Sequence, residues 1–111
     1  MLGAIAGDII GSVYEAAPTK KIDFPLFQPA STFTDDTVLT VAVADCLLNN
    51  KDYTPSLQNW GRKYSDAGYG GNFINWIFDK NPRPYHSWGN GSAMRVSPIA
   101  WAFDKLEQVQ Q

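Results

Sequence analysis

Apolar positions along the chain fall into a few blocks separated by loop chemistry, and none keeps the two-residue alternation of a half-buried strand. Leu2 to about Ala17 reads as a first helix, stopped before Pro18, which disfavours helical geometry at the residue it follows. Gly3, Gly7 and Gly11 recur every fourth residue and so form one smooth stripe. Each costs about 1 kcal/mol against alanine, so close approach of a neighbouring helix is the expected compensation. Residues 18 to 33 hold three prolines without periodicity and read as loop. A second helix opens at Thr34-Asp35-Asp36-Thr37 and runs to Asn49 or Asn50. Its apolar residues (Val38, Leu39, Val41 to Val43, Cys46 to Leu48) cover most of the circumference, which predicts a central, buried helix.

A third helix follows in YTPSLQNWGRKYSDAG, with Thr54 as N-cap, Pro55 at the first helical position and Gly68 beyond the end. NFINWIFDK reads as a short fourth helix, NPRPYHSWGNG as loop, and SAMRVSPIAWAFDKL as helix again. AFDKLEQVQQ has helical composition without a C-cap or breaker, so the sequence is expected to stop inside an element. The expected fold is a single all-α domain over residues 1–111.

Bulk properties narrow the function classes. A formal charge of −2 gives no reason to expect nucleic acid or an anionic membrane as a partner. No stretch has the length of a membrane span. The apolar N-terminus lacks a basic region and is interrupted by Asp8, so it reads poorly as a signal peptide. Cys46 is the only cysteine, which excludes an intramolecular disulfide and makes a reducing cytoplasm the expected location.

Three constellations carry candidate chemistry. Thr34 to Thr37 fits ordinary helix capping, with acids favoured in a first turn. One acid would satisfy that need, however. Two adjacent carboxylates beside a hydroxyl also make a cluster of hard oxygen ligands suited to Mg²⁺, Mn²⁺ or Ca²⁺ rather than zinc. Asp8 and Glu15 lie seven residues apart, on one face of the expected first helix. Asp8, among apolar neighbours, is expected to hydrogen-bond backbone or a nearby side chain, whereas Glu15 could meet the second helix's N-terminus. Gly89, Asn90, Gly91 and Ser92 form either a turn capped by Ser92 or a nest of backbone amides for an anion. Tyr69 and Trp88, beside glycines, could stack on a base or ribose or simply pack. His86 reads as a loop residue.

In this order, GAIAGDIIGSVYE, TDDT and GNGSAMR resemble the ADP-ribosylglycohydrolase family, and the resemblance covers nearly the whole chain. It implies an all-α fold around a two-metal magnesium or manganese site. It also implies hydrolysis of the glycosidic bond joining ADP-ribose to a protein side chain or small molecule. On the matching positions, Thr34, Asp35 and Asp36 would be metal ligands, and Glu15 with Asp36 would be catalytic. Gly89 to Ser92, with Tyr69, would bind substrate, the loop amides holding the diphosphate.

The family completes its site with an Asp-x-Asp-Thr-type motif, whereas after Arg95 this chain has only Asp104 and Glu107. The sequence therefore resembles an N-terminal portion with about half of a metal site. The expectation is weak binding of at most one ion, little activity alone, and an uncovered apolar face on the second helix. Such a face would favour a homo-oligomer or docking of a complementing C-terminal fragment. The alternatives are a non-catalytic ADP-ribose-binding or partner-packing module, and a helical domain whose three motifs are only caps and turns.

Overall fold

The structure, a computed structural model, describes residues 1–110. It is all-α, with no strand among them: α1 (Leu2–Gly11), a 3₁₀ turn (Ser12–Tyr14), α2 (Asp35–Asn49), α3 (Tyr53–Lys63), α4 (Gly71–Phe78), α5 (Gly91–Met94), α6 (Ser97–Ala102) and α7 (Leu106–Val109). No helix among the described residues is long and apolar enough to cross a membrane.

As its apolar circumference predicts, α2 is the centre. Val38, Leu39, Thr40, Ala42, Val43, Ala44 and Cys46 are all buried. Leu39, Ala42 and Val43 join Leu57 of α3 in the core, against which Trp60, Phe73, Trp76, Met94 and Ile99 pack. The expected uncovered face is not found: of the apolar residues credited to α2, Leu48 alone is strongly exposed, at 83%. The large exposed side chains lie elsewhere, at Leu2, Ile22, Trp88 and Trp101. Asn50, left-handed at φ 51°, ends the helix, and the Lys51 amide returns to the Cys46 carbonyl at 3.0 Å. Asp45 then ties α2 to α3, accepting from Trp60 Nε1 at 3.1 Å and from Lys51 Nζ at 2.9 Å.

Side chains of α3 complete α4. Gln58 Nε2 donates to the carbonyls of Trp76 (3.0 Å) and Asp79 (2.9 Å), and Arg62 Nε donates to that of Ile77 (2.6 Å). These bonds satisfy carbonyls that the end of a helix leaves without intrahelical partners. The cap of α3 is Asp52 rather than Thr54, and its helix begins at Tyr53, which puts Pro55 at the third position.

The first and last helices depart from expectation. α1 stops at Gly11 instead of Ala17, so Glu15 does not share a helix face with Asp8. The Ser12 hydroxyl donates back to the Ile9 carbonyl at 2.9 Å, an interaction that competes with helix continuation. The chain then tightens into the 3₁₀ turn. The glycine stripe meets no partner: a Cβ added at Gly3, Gly7 or Gly11 would have nothing within 4 Å. The close approach falls at Gly61 of α3, where a Cβ would lie 2.9 Å from Ile77 Cγ2.

The helix expected from Ser92 onward is broken into α5, α6 and α7. Pro98 lacks the N–H that would bond the Met94 carbonyl, and its ring would clash there. That carbonyl is instead the second, longer acceptor of the Thr40 hydroxyl of α2, at 3.3 Å, the nearer acceptor being the Asp36 carbonyl at 2.7 Å. Phe103 then leaves helical geometry, half-buried between exposed neighbours. α7 ends at Val109, and Gln111, the last residue of the expected terminal helix, lies outside the described residues.

Two glycine substitutions should act in opposite directions. Gly61→Ala gains helix propensity but pushes on the fully buried, β-branched Ile77, an overpacking that costs about 1–3 kcal/mol. Its urea midpoint should fall. Gly7→Ala meets open space and should gain up to about 1 kcal/mol. Equilibrium urea unfolding of both variants measures the contrast.

Candidate functional site

The N-terminus of α2 is organised from α1 by one carboxylate. Asp8 Oδ2 accepts from the amides of Thr34 (2.8 Å) and Thr37 (3.1 Å) and from the Thr37 hydroxyl, while Oδ1 accepts from the Thr34 hydroxyl. Asp8 is thus the hydrogen-bonding residue that its apolar surroundings imply. Thr34 is the N-cap, its Oγ1 accepting from the Asp36 amide at 3.3 Å. With its proton given to Asp8 and one lone pair to Asp36, that hydroxyl keeps one lone pair free.

The remaining first-turn amide, that of Asp35, donates at 2.8 Å to the Ala67 carbonyl in the turn after α3. Gly68 holds φ +100°, a conformation few residues other than glycine adopt, and a Cβ there would sit 3.8 Å from Asp35 Oδ1. This turn closes over Asp35 and desolvates it.

The side chains of Asp35 and Asp36 consequently accept no hydrogen bond from another described residue, and Asp35 has only the partial, pKa-lowering help of its own amide. Acids in a first turn ordinarily ionise more readily, yet both are shifted the other way. Desolvation pushes Asp35 up to about 6, reinforced by Asp36 and, more weakly, by Glu15 and Asp8. Asp36 is raised by burial and then by Asp8. Glu15 is exposed, just past the 3₁₀ turn, and its charge is felt at Asp35. Among the described residues the one ion pair is Lys51–Asp45, so no lysine or arginine neutralises these acids. Nor do three or more His, Cys, Asp or Glu side chains converge there into a complete cation cage.

A cleft of about 670 Å³ opens beside Asp35 and reaches Gly89, Asn90, Gly91 and Ser92. Its walls include Leu39, Phe73, Trp76 and Arg95, with Trp88 fully exposed at the edge. Asn90 is the N-cap of α5 and makes no side-chain cap bond, so Ser92 is not the cap. The Gly89 amide donates to Ser87 Oγ at 3.1 Å, whereas those of Asn90, Gly91 and Ser92 donate to no group among the described residues. The cleft is therefore bordered both by the Asp35 carboxylate and by three residues whose amides are unpartnered among the described residues.

Glu15, Asp36 and Tyr69 do not line this cleft. Tyr69 packs on Phe73 with ring centroids 5.4 Å apart. Its buried hydroxyl has no partner among the described residues, and burial with nearby Asp35 pushes the phenol up to about 12. The residue that sequence reasoning left without a role is Arg95. Its guanidinium carbon lies 5.8 Å from the Phe73 ring centroid, and burial lowers its proton affinity. A signal was present: Arg95 is the only charge between Gly89 and Phe103.

Comparison with known proteins adds the following. The family model described as ADP-ribosylglycohydrolase matches residues 1–111. The curated relatives include proteins named ADP-ribosylhydrolase ARH3 from Bos taurus (29% identical), Mus musculus (31%) and Homo sapiens (29%). Each alignment covers 100% of this chain and 40% of the relative, so the chain spans about two fifths of their length. No solved structure matches significantly.

Two variants separate the anchoring acid from the strained one. Asp8→Ala strands two backbone amides and two hydroxyls and should cost on the order of 3 kcal/mol. Asp35 acts oppositely. Its folded-state value lies above the unfolded one, so its penalty is absent below about pH 4, grows as the pH rises and is complete above about pH 6. With chelator present, Asp35→Asn should be more stable than the parent at pH 7, and the gain should vanish by pH 4. Urea midpoints at both pH values read the effect. A gain that persists at pH 4 would rule out the titration of Asp35 as its source.

Proposed function

The chain belongs to the ADP-ribosylglycohydrolase family, and from that premise we propose that its cleft takes part in metal-dependent hydrolysis of the glycosidic bond between ADP-ribose and a protein side chain or small molecule. The observation that carries this reading is the single cleft running from Asp35 to the open amides of Asn90, Gly91 and Ser92. Its volume suits a nucleotide-sized ligand. A diphosphate lies naturally against backbone N–H groups, which directs the distal ribose toward the carboxylates. Trp88, exposed at the edge, offers a stacking face.

The donors at the acidic end fit a magnesium or manganese ion. Thr34 Oγ1 has a lone pair to give, and the Asp35 and Asp36 carboxylates carry charge with no donor to neutralise it. These three would hold the ion, which when bound supplies polarisation of substrate oxygens and of water. The family site takes two ions, and this chain contributes part of the ligand set. The chain's own residues do the remaining work. Glu15, outside the cleft wall yet near enough for its charge to act on Asp35, would accept the proton of the water whose oxygen bonds the anomeric carbon, and that proton would pass to the departing oxygen or nitrogen as the glycosidic bond breaks. The Asp36 carboxylate stabilises the positive charge that develops on the ribose. The Asp8 bonds fix the donor turn, so neither acid needs to reorganise.

ADP-ribose binding without turnover is the second reading, and it draws support from a described ligand set that stops at Thr34, Asp35 and Asp36. Calorimetric titration with Mn²⁺ should show at most one weakly held ion, with affinity reduced at least ~tenfold in Asp36→Asn. Release of ADP-ribose from a modified protein then separates the two readings. Unchanged Mn²⁺ binding in Asp36→Asn would remove the metal from this end of the cleft.

A further inference from the structure

Arg95 is a charge for which the reaction derived above has no use. It is half-buried in the cleft wall, stacked over Phe73. No carboxylate pairs with it and no hydrogen bond engages it among the described residues. The titratable neighbour that acts on it is the Tyr85 phenol. A guanidinium carries five N–H donors in a fixed fork, and withdrawing it from water without a counter-charge is costly. The acids at the other end do not supply that counter-charge, since Arg95 has no part in the field that shifts Asp35 or Asp36. The cleft wall therefore carries the Asp35 carboxylate and two arginines that no carboxylate pairs, Arg83 exposed to solvent and Arg95 half-buried.

The Met94 carbonyl, released by Pro98, lies 3.3 Å from Thr40 Oγ1, whose single proton has the Asp36 carbonyl as its nearer acceptor at 2.7 Å, so the backbone beside Arg95 abuts α2. The Phe73 ring lies with its centroid 5.8 Å from the guanidinium carbon, within cation–π range.

Resting on the reading of the cleft as an ADP-ribose site, we propose that Arg95 is a specificity-determining residue that pairs with the anionic phosphate oxygens of the ligand. It acts alongside the amides of Asn90, Gly91 and Ser92, so that the cleft selects glycosides carrying a diphosphate over neutral ribosides. The amides orient the phosphates and Arg95 supplies the full charge. Arg95 touches no reacting atom.

The test titrates the chain with inorganic diphosphate and with ADP-ribose, without added metal, at low and high salt. Affinity for both should fall about tenfold or more in Arg95→Gln, with a shallower salt dependence, whereas Arg95→Lys should retain part of the affinity and the salt dependence of the parent. Equal affinities in Arg95→Gln and the parent, or no diphosphate binding by the parent, would overturn the assignment.

A second measurement needs no variant. Phenylglyoxal labelling, mapped by mass spectrometry, should be suppressed by diphosphate at Arg95 and not at Arg62, which lies outside the cleft. Undiminished labelling of Arg95 at saturating diphosphate would also overturn it. The two proposals fail separately. Diphosphate protection of Arg95 without release of ADP-ribose from a modified protein removes the reaction and keeps the anion site. Release with unprotected Arg95 does the reverse.

Discussion

The site depends on how Asp8 meets the start of α2. A helix N-terminus presents amides that need acceptors, and a carboxylate from another element is a strong one. Asp8 takes two of these amides and two hydroxyls, crossing from α1 over a loop of more than twenty residues. Thr34 serves the Asp36 amide and the Ala67 carbonyl serves that of Asp35. Every donor of the first turn is then engaged by a group other than the Asp35 or Asp36 side chain.

That allocation explains how two aspartates can share a helix start and still be available for chemistry. Had they capped their own helix, their oxygens would be occupied and their acidity increased. Because Asp8 does the capping, their side chains are not consumed there, and burial together with neighbouring acids (Asp36 acting on Asp35, Asp8 on Asp36) makes both poor anions. The same economy holds across the cleft, where Pro98 frees a carbonyl, Thr40 takes it up, and α5 is held with its first amides open. Both ends of the cleft are thus positioned from α2, the most buried helix of the chain.

Much of this was legible in the sequence where one residue decides one feature. The apolar circumference of α2 required burial, Thr34 was placed to cap that helix whether or not it also meets a metal, and Asp8 among apolar neighbours had to find donors. Other features depended on which surfaces meet, which spacing does not encode. A stripe of Gly3, Gly7 and Gly11 is compatible with close packing or with open space, and the structure has the second. Gly61 looked unremarkable yet faces Ile77. Pro98 was visible, and the apolar run around it obscured a break that its missing N–H makes necessary. Whether Tyr69 stacks on a ligand or on Phe73 turned on the path of the turn at Gly68, and no local pattern fixes that path. Arg95 was overlooked because a lone charge in an apolar segment usually reaches solvent.

α1 carries no buried residue. Its hold on the rest of the molecule is mainly polar and concentrated around Asp8 and Ser12, whose hydroxyl accepts from the Thr32 amide at 3.1 Å. α1 adds no residue to the buried core, so it is the helix expected to open at a lower free energy than global unfolding. Its amides would then exchange with solvent well before those of α2. Glu15 travels with that unit. Juxtaposition of Glu15 with Asp35 is therefore a local docking equilibrium laid over the fold, and any ligand that bridges the two spends part of its binding free energy on ordering the N-terminal segment.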